Sequence, residues 1–265
     1  MITKQKTEPS SPKTTNPTKS RIAILDEIRG LAITAMVLYH ILYSAGEVFG
    51  YRQAHNIFRS VMPFEPLIPI TFIFISGICT RLSRSNLKRG SILFAVALLI
   101  NIVTYIIVPD IVIRFGVINL LSVSMIVYGL TEKAAEKAKP AFALVISLFL
   151  FVFTWGIPKH FIGIFDIKLF VIPEVLYKTD FLFPLGLKND SFYSSDYFPV
   201  FPWIFLFYAG SFFHAVMTKK GLPDSVFKTH SKPLGFIGKH AIIIYMIHQP
   251  LIFGILTVIG YFYKQ

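Results

Sequence analysis

The sequence predicts an all-α membrane protein, a polytopic bundle of about seven transmembrane helices. Of its 265 residues, 54% are hydrophobic and only 15% are charged, whereas soluble domains carry about 25% charged residues. The mean hydropathy is +0.63. Seven continuous apolar stretches are long enough to cross a bilayer as helices. Membrane strands would instead show alternating segments of about ten residues.

The predicted spans follow one another through the chain, separated by polar segments. They cover residues 29–46, 65–81, 90–108, 114–130, 140–157, 199–217 and 240–262. The domain that contains them extends over 21–265, and the polar tail of residues 1–20, rich in Pro, Thr and Lys, is predicted to be disordered. A long outer loop, 158–198, separates the fifth and sixth spans. Its apolar part, IGIFDIKLFVIP, contains Asp166 and Lys168, so we expect it to lie at the membrane surface.

The charges favour a cytoplasmic N-terminus and a C-terminus on the outside. Segments 1–29, 81–89, 131–139 and 218–239 hold 18 of the 26 Lys and Arg and 6 of the 14 acidic residues. The whole net charge of +12 then falls on one side, as the positive-inside rule expects of a multi-pass protein of the cell membrane. These basic residues lie between apolar runs, so we expect no nucleic-acid partner. The single cysteine excludes an internal disulfide and a cysteine-based metal site, and no metal is predicted.

The first span carries Arg29 and His40, eleven residues apart. Eleven residues advance a helix by about three turns, which places both side chains on one face, roughly 16 Å apart. Ionisable groups within a span are costly and are candidates for function. Asp26, one turn before Arg29, can pair with it. The alternatives are an interfacial anchor at Arg29 and a structural histidine with a hydrogen-bond partner at His40.

The second span ends in the basic sequence FISGICTRLSRS. Arg81 and Arg84 are three residues apart and are predicted to share a helix face, with Lys88 and Arg89 following. Guanidinium groups bind phosphates in a bidentate manner, although a collar that stops membrane transfer would look the same. Ser76 lies deeper and is expected to pack rather than to act as a nucleophile, since no Gly-x-Ser-x-Gly elbow is present.

Polar residues also occur in two later spans and at the entry to a third. Arg114 begins the fourth span and either binds a substrate or pairs with Asp110, and Asn119 lies deeper in the same span. The last span, GKHAIIIYMIHQP, places His248 within the membrane, as a catalytic group or as an interhelical tie. Asp196, in SSDYFPVFPW, is either a substrate contact or a helix cap.

These blocks, in order over about residues 21–260, resemble bacterial membrane proteins similar to the heparan-alpha-glucosaminide N-acetyltransferase catalytic domain. That group is related to the acyltransferase-three family within a wider class of transmembrane acyltransferases. The wider class is known for an arginine, ten residues and a histidine on its first helix, and for Arg-x-x-Arg at a helix end. Arg29 with His40 and Arg81 with Arg84 match these motifs. The position of Asn119 is often a histidine in bacterial relatives.

The resemblance implies transfer of an acetyl or other acyl group from cytoplasmic coenzyme A to an acceptor beyond the membrane. The basic cluster with Ser76 would hold the donor, and its pantetheine arm would reach His40 through a tunnel. His40 would act as the general base, with Arg29, His248 and Asn119 as further catalytic candidates, while Arg114 and Asp196 would contact a glycan or lipid-linked acceptor. A histidine-acyl intermediate remains open. A transporter of a small organic anion or lipid-linked precursor is the alternative, and a homo-oligomer is compatible with the sequence.

Overall fold

The computed structural model describes residues 22–165 and 167–263, with the backbone alone at Asp110 and Tyr263. The predicted disorder of residues 1–20 and the placement of Asp166 therefore lie outside the described residues. The described chain is predominantly helical, which confirms the all-α prediction. Its α-helices are α1 Ala23–Tyr43, α2 Arg52–Val61, α3 Leu67–Thr80, α4 Asn86–Ile107, α5 Val117–Lys137, α6 Pro140–Phe153, α7 Val200–Lys220, α8 Lys232–Lys239 and α9 Ala241–Tyr263.

In the part of the chain that the structure describes, six helical segments are long and apolar enough to cross a membrane, and a bent pair of helices can provide a seventh crossing. The seventh consists of α2 and α3, which meet at an angle of 46°. Helix α3 alone has 14 residues, about 21 Å of helix, which is shorter than the bilayer core of about 30 Å. The second predicted span is therefore shorter than expected, and the protein is a multi-pass membrane protein.

The core lies where α5 and α7 pack against α3 and α4. Leu120 and Phe207 are completely buried there. Gly77 of α3 allows the close approach of α7, because a Cβ atom at this position would lie 1.9 Å from the carbonyl oxygen of Phe207. The α3–α7 contact brings the end of α3, where the basic cluster begins, against the middle of α7.

Helix α8 does not span the membrane but packs along the first turns of α1. A carboxylate of α1 fixes its start, since Glu27 accepts hydrogen bonds from the backbone N–H groups of His230 and Ser231, at 2.7 and 2.9 Å. The side chain of Ser231 caps α8 by accepting from the N–H of Leu234. This arrangement sets the direction in which α9 enters the bundle and thereby positions His248.

The long loop 158–198, predicted to lie on the outer side, contains a small antiparallel hairpin, which the sequence did not predict. Its strands are β1 Phe161–Ile164 and β2 Ile167–Val171. Apolar side chains project from it, including Phe165 and Val171, each 76% exposed. Exposed apolar side chains of this kind suit a membrane surface, and the surface location of the loop stays a prediction.

Candidate functional site

The structure brings His40 of α1 and His248 of α9 together, with their ring centroids 5.0 Å apart. Nδ1 of His248 lies 2.6 Å from the carbonyl oxygen of Tyr245. A carbonyl can only accept, so this nitrogen carries the proton, and Nε2 of a neutral His248 keeps its lone pair. Within the described chain, Nε2 of His248 and Nδ1 of His40 are buried without a hydrogen-bond partner. Buried polar atoms are normally paired, so unpaired ones indicate a site that takes a ligand or a proton.

A polar chain leads from this histidine pair to the loop before α7. The ring of Tyr245 packs against that of His248, with the centroids 5.6 Å apart. The hydroxyl of Tyr245 donates to Oδ2 of Asp196 over 2.6 Å. Together these contacts connect Asp196, at the entry to α7, with the imidazole of α1.

Asp196 is also a helix cap, one of the two roles expected for it. Its Oδ2 accepts a hydrogen bond from the N–H of Val117, the first residue of α5, at 3.1 Å. A carboxylate at this end is favoured by the helix dipole. Gly116 makes the approach possible, because a Cβ atom there would lie 2.3 Å from Oδ2. Burial raises the pKa of the Asp196 carboxyl, while its hydrogen bonds from Tyr245 and Val117 act in the opposite direction.

Asn119 lies beside Asp196 and Tyr245, and the three residues line a small cavity of about 10 Å³. The side chain of Asn119 is 3% exposed, and its Oδ1 accepts the N–H of Gly116 at 3.1 Å. This bond occupies the carbonyl oxygen of the amide, so the NH₂ group is the part of the side chain that can act as a donor. The structure therefore groups four of the predicted site residues, His40, His248, Asn119 and Asp196, around Tyr245.

Arg29 lies at the other end of α1, against α3 and α8. Its guanidinium donates to Oδ1 of Asp26 at 3.0 Å, which confirms the predicted pair. The same group donates to Sγ of Cys79 at 3.0 Å and approaches the carbonyl oxygen of Gly238 at 3.5 Å. Arg29 thus connects α1, α3 and α8. Its ion pair with Asp26 agrees with an anchoring role as well as with a functional one.

Arg81 and Arg84 differ in their surroundings. Helix α3 ends at Thr80, so the two arginines follow the helix rather than share one of its faces. Arg81 turns inward, where its Nε donates to the hydroxyl of Ser211 at 3.0 Å and its guanidinium lies 5.8 Å from the ring centre of Phe212. Arg84, Lys88 and Arg89 are exposed. Within the basic cluster, Arg81 is therefore the residue whose side chain is fixed by contacts with α7.

Ser76 does not point to catalysis in this structure. Its hydroxyl donates to the carbonyl oxygen of Phe72, one turn earlier in α3, at 2.8 Å. This bond within the helix agrees with the expected packing role. A tunnel joining Arg81 to His40 stays a prediction. Neither residue lines the small cavity beside Asn119 or the larger groove beside Arg114.

Arg114 lies on a groove of about 310 Å³, separate from the histidine pair. Its guanidinium stands over the ring of Phe192, 5.4 Å from the centroid. The alternative that Arg114 pairs with Asp110 involves a side chain outside the described part. We call this depression the Arg114 groove; its walls include Asn101, Ile102, Tyr105, Ile113, Arg114 and Phe183.

Sequence reasoning missed Tyr245 and the role of Cys79. Tyr245 lies three residues before His248, a spacing that puts both on one helix face, so the local signal was present. Its bond to Asp196 joins positions 49 residues apart, and no local pattern indicates such a pair. Cys79 likewise meets Arg29 only through the packing of α1 against α3.

Comparison with known proteins identifies the family. A family model described as heparan-alpha-glucosaminide N-acetyltransferase, catalytic, matches residues 21–250. No curated protein and no solved structure matches the chain significantly. The matched region contains every residue of the site described above, from Arg29 to His248. The chain therefore belongs to the family of the heparan-alpha-glucosaminide N-acetyltransferase catalytic domain, a family of membrane acetyltransferases.

Proposed function

We propose that this protein transfers an acetyl group from cytoplasmic acetyl-CoA to an acceptor on the other side of the cell membrane, with His40 as the general base. The observation that carries the proposal is the proximity of the His40 and His248 rings, since Nδ1 of His40 and Nε2 of His248 are buried and have no partner in the described chain. A half-buried imidazole, His40, beside a buried one, His248, whose tautomer is set by the Tyr245 carbonyl, is suited to accepting a proton.

In this proposal, the donor binds near the Arg29 end of α1, and proton transfer takes place near its other end, at His40. Arg84, Lys88 and Arg89 are exposed cations beside Arg81 and suit the phosphates of coenzyme A. The positive-inside rule assigns this end to the cytoplasm. The thioester would then extend along α1 toward His40, over a distance of roughly 16 Å from Arg29.

In the transfer step, the acceptor nitrogen or oxygen attacks the thioester carbonyl while its proton passes to His40. The C–S bond then breaks, and the coenzyme A thiolate leaves and takes the proton from His40, which returns to its neutral form. The lone pair on Nε2 of His248 would stabilise the imidazolium that forms on His40. Since this tautomer makes His248 an acceptor, Asn119 is the better donor for the tetrahedral oxyanion.

The test uses purified protein in nanodiscs with radiolabelled acetyl-CoA, and label is followed into glucosamine and into lipid extracted from the source membranes. The wild type should transfer label, and His40→Ala should lose about 10²–10⁴-fold in rate. His240→Ala, which removes an exposed imidazole, is the matched control and should retain the rate. Equal rates for the wild type and His40→Ala would refute the base assignment.

A transporter is the competing class, and a second measurement separates the two. Proteoliposomes are supplied with labelled acetate and glucosamine in the absence of acetyl-CoA. The enzyme hypothesis predicts no protein-dependent uptake of either solute. Protein-dependent uptake, combined with no transfer of label from acetyl-CoA in nanodiscs, would replace the acyltransferase proposal with transport.

A further inference from the structure

The Arg114 groove opens beside α4, the helix that is among the least covered by the rest of the bundle. Only 11% of the membrane-spanning window of α4 is buried inside the protein. In the groove wall, Ile102 is 55% and Tyr105 is 70% exposed. On a membrane-spanning helix, such apolar side chains face lipid chains. A lipid chain could therefore reach the groove laterally from the bilayer.

Arg114 is the one charged residue among the described residues that line this mainly apolar groove. The backbone of Arg114 is held on both sides: its N–H donates to the hydroxyl of Ser194 at 3.1 Å, and its carbonyl accepts from the amide of Asn101 at 3.1 Å. The guanidinium lies over Phe192, which limits where its charge can point. A fixed cation at the edge of the lipid phase is complementary to a phosphate group.

Asn101 supplies a second polar feature of the groove. Its amide nitrogen is used by Arg114, while its Oδ1 is buried and without a partner in the described chain. A carbonyl oxygen of this kind accepts a hydrogen bond from a hydroxyl, such as one on a sugar. Arg114 and Asn101 thus both belong to the lining of one mainly apolar cavity of about 310 Å³, at the lower end of the range for ligand sites.

The groove also adjoins the candidate active site. Ile113 lines both the groove and the small cavity formed with Asn119, Asp196 and Tyr245. A head group bound near Arg114 would thus lie one side chain away from the polar chain that ends at His40. The acyl acceptor needs such an entrance, on the face opposite to the coenzyme A cluster.

We infer that the Arg114 groove binds the acceptor, and that this acceptor is a lipid-linked sugar phosphate rather than a free glycan. This inference rests on the proposed function. The lipid chain would lie along α4, the phosphate on Arg114, and a sugar hydroxyl at Oδ1 of Asn101. A free glycan would leave the apolar wall of the groove without a partner.

The test measures ligand binding in nanodiscs without acetyl-CoA, so its outcome is independent of catalysis. The probes are dodecyl phosphate, dodecanol and inorganic phosphate. We expect dodecyl phosphate to bind about tenfold or more tightly than either of the others, because only it offers both chain and charge. Binding of inorganic phosphate alone with equal affinity would reduce the site to an anion site and overturn the lipid assignment.

Two variants locate the binding. Arg114→Gln should weaken dodecyl phosphate about tenfold while leaving dodecanol unchanged. Lys178→Gln removes an exposed lysine of the same long loop and should change neither affinity. Equal affinities for Arg114→Gln and Lys178→Gln would overturn the inference even if acetyl transfer is observed. If instead dodecyl phosphate binds as expected and acetyl transfer fails, the binding site stands and the proposed function falls.

Discussion

The hydroxyl of Tyr245 in α9 donates a hydrogen bond of 2.6 Å to the carboxylate of Asp196. That carboxylate also caps α5, so a single oxygen atom joins α5, α9 and the loop before α7. Because the ring of Tyr245 packs on His248, the position of the imidazole depends on this bond. Asp196 and Tyr245 are therefore positioning residues in this account, and they act on the chemistry through His248.

Tyr245→Phe should separate this positioning role from packing. Phenylalanine keeps the ring contact with His248 but leaves Oδ2 of Asp196 with one partner fewer. We expect a loss of about 1–3 kcal/mol in stability and a lower transfer rate with unchanged affinity for coenzyme A. Thermal unfolding and single-turnover transfer measure the two effects. Tyr261→Phe, at a ring that is 66% exposed, is the control, and identical behaviour of the two variants would contradict the role.

Asp196→Asn should change how stability depends on pH. Burial raises the pKa of this carboxyl above its usual value of 3.8, so between the ordinary and the raised pKa the folded protein holds a proton that the unfolded chain releases. Stability contributed by the protonated form is consequently lost as the pH rises from the ordinary aspartate range through the raised pKa. Asparagine does not titrate, so Asp196→Asn should not lose stability in this way as the pH rises. Melting temperatures measured from about pH 4 to 8 should fall more steeply for the wild type; parallel profiles would show that Asp196 does not titrate in this way.

Gly77→Ala should be strongly destabilising, because the added Cβ would lie 1.9 Å from the backbone of α7. Overpacking of this kind costs about 1–3 kcal/mol or more, since backbone must move. Gly254→Ala in α9 is the control, because nothing lies within 4 Å of a Cβ there. It should be neutral or stabilising by up to about 1 kcal/mol. Thermal unfolding in detergent compares them, and equal melting temperatures would contradict the α3–α7 packing.

Arg81→Gln and Arg84→Gln should have different consequences. Arg81 loses its bond to Ser211 and its place beside Phe212, so both stability and coenzyme A affinity should fall. Arg84 is exposed, so its replacement should weaken coenzyme A binding without changing the melting temperature. The exposed Arg59, which the charge pattern assigns to the opposite face, provides the control Arg59→Gln. If all three variants bind coenzyme A like the wild type, the cluster is not the donor site.

Cys79 should act as a hydrogen-bond acceptor for Arg29 and not as a nucleophile. Its Sγ receives the guanidinium at 3.0 Å. Cys79→Ser keeps an acceptor and should retain most of the transfer rate, whereas Cys79→Val removes it and should cost about 1–3 kcal/mol in stability. The two variants are compared by melting temperature and transfer rate. A serine variant that folds normally but has lost transfer would point to covalent catalysis by the thiol.

The helical architecture could be predicted because spans are long apolar runs, and their order in the structure follows the sequence. The bend between α2 and α3 was not predictable from apolar length, because a 14-residue helix completed by another at 46° has the same composition as one span. The pair of Arg29 with Asp26 was predictable, since both lie on one helix three residues apart.

The tertiary part of the site was harder to predict. His40 and His248 lie on the first and last spans, and their contact depends on how α8 turns the chain into α9. The two arginines of the basic cluster were expected to act together, but the end of α3 at Thr80 directs them differently. Residue types thus indicated which groups could react, while the helix packing decided which of them meet.

The most direct test of the central claim is a structure of the protein with a bound non-hydrolysable acetyl-CoA analogue. We expect the phosphates of the analogue at Arg81 and Arg84, and its carbonyl carbon within about 4 Å of His40. A carbonyl group bound away from the neighbouring imidazoles of His40 and His248, or phosphates held at the Arg114 groove, would contradict the proposed function.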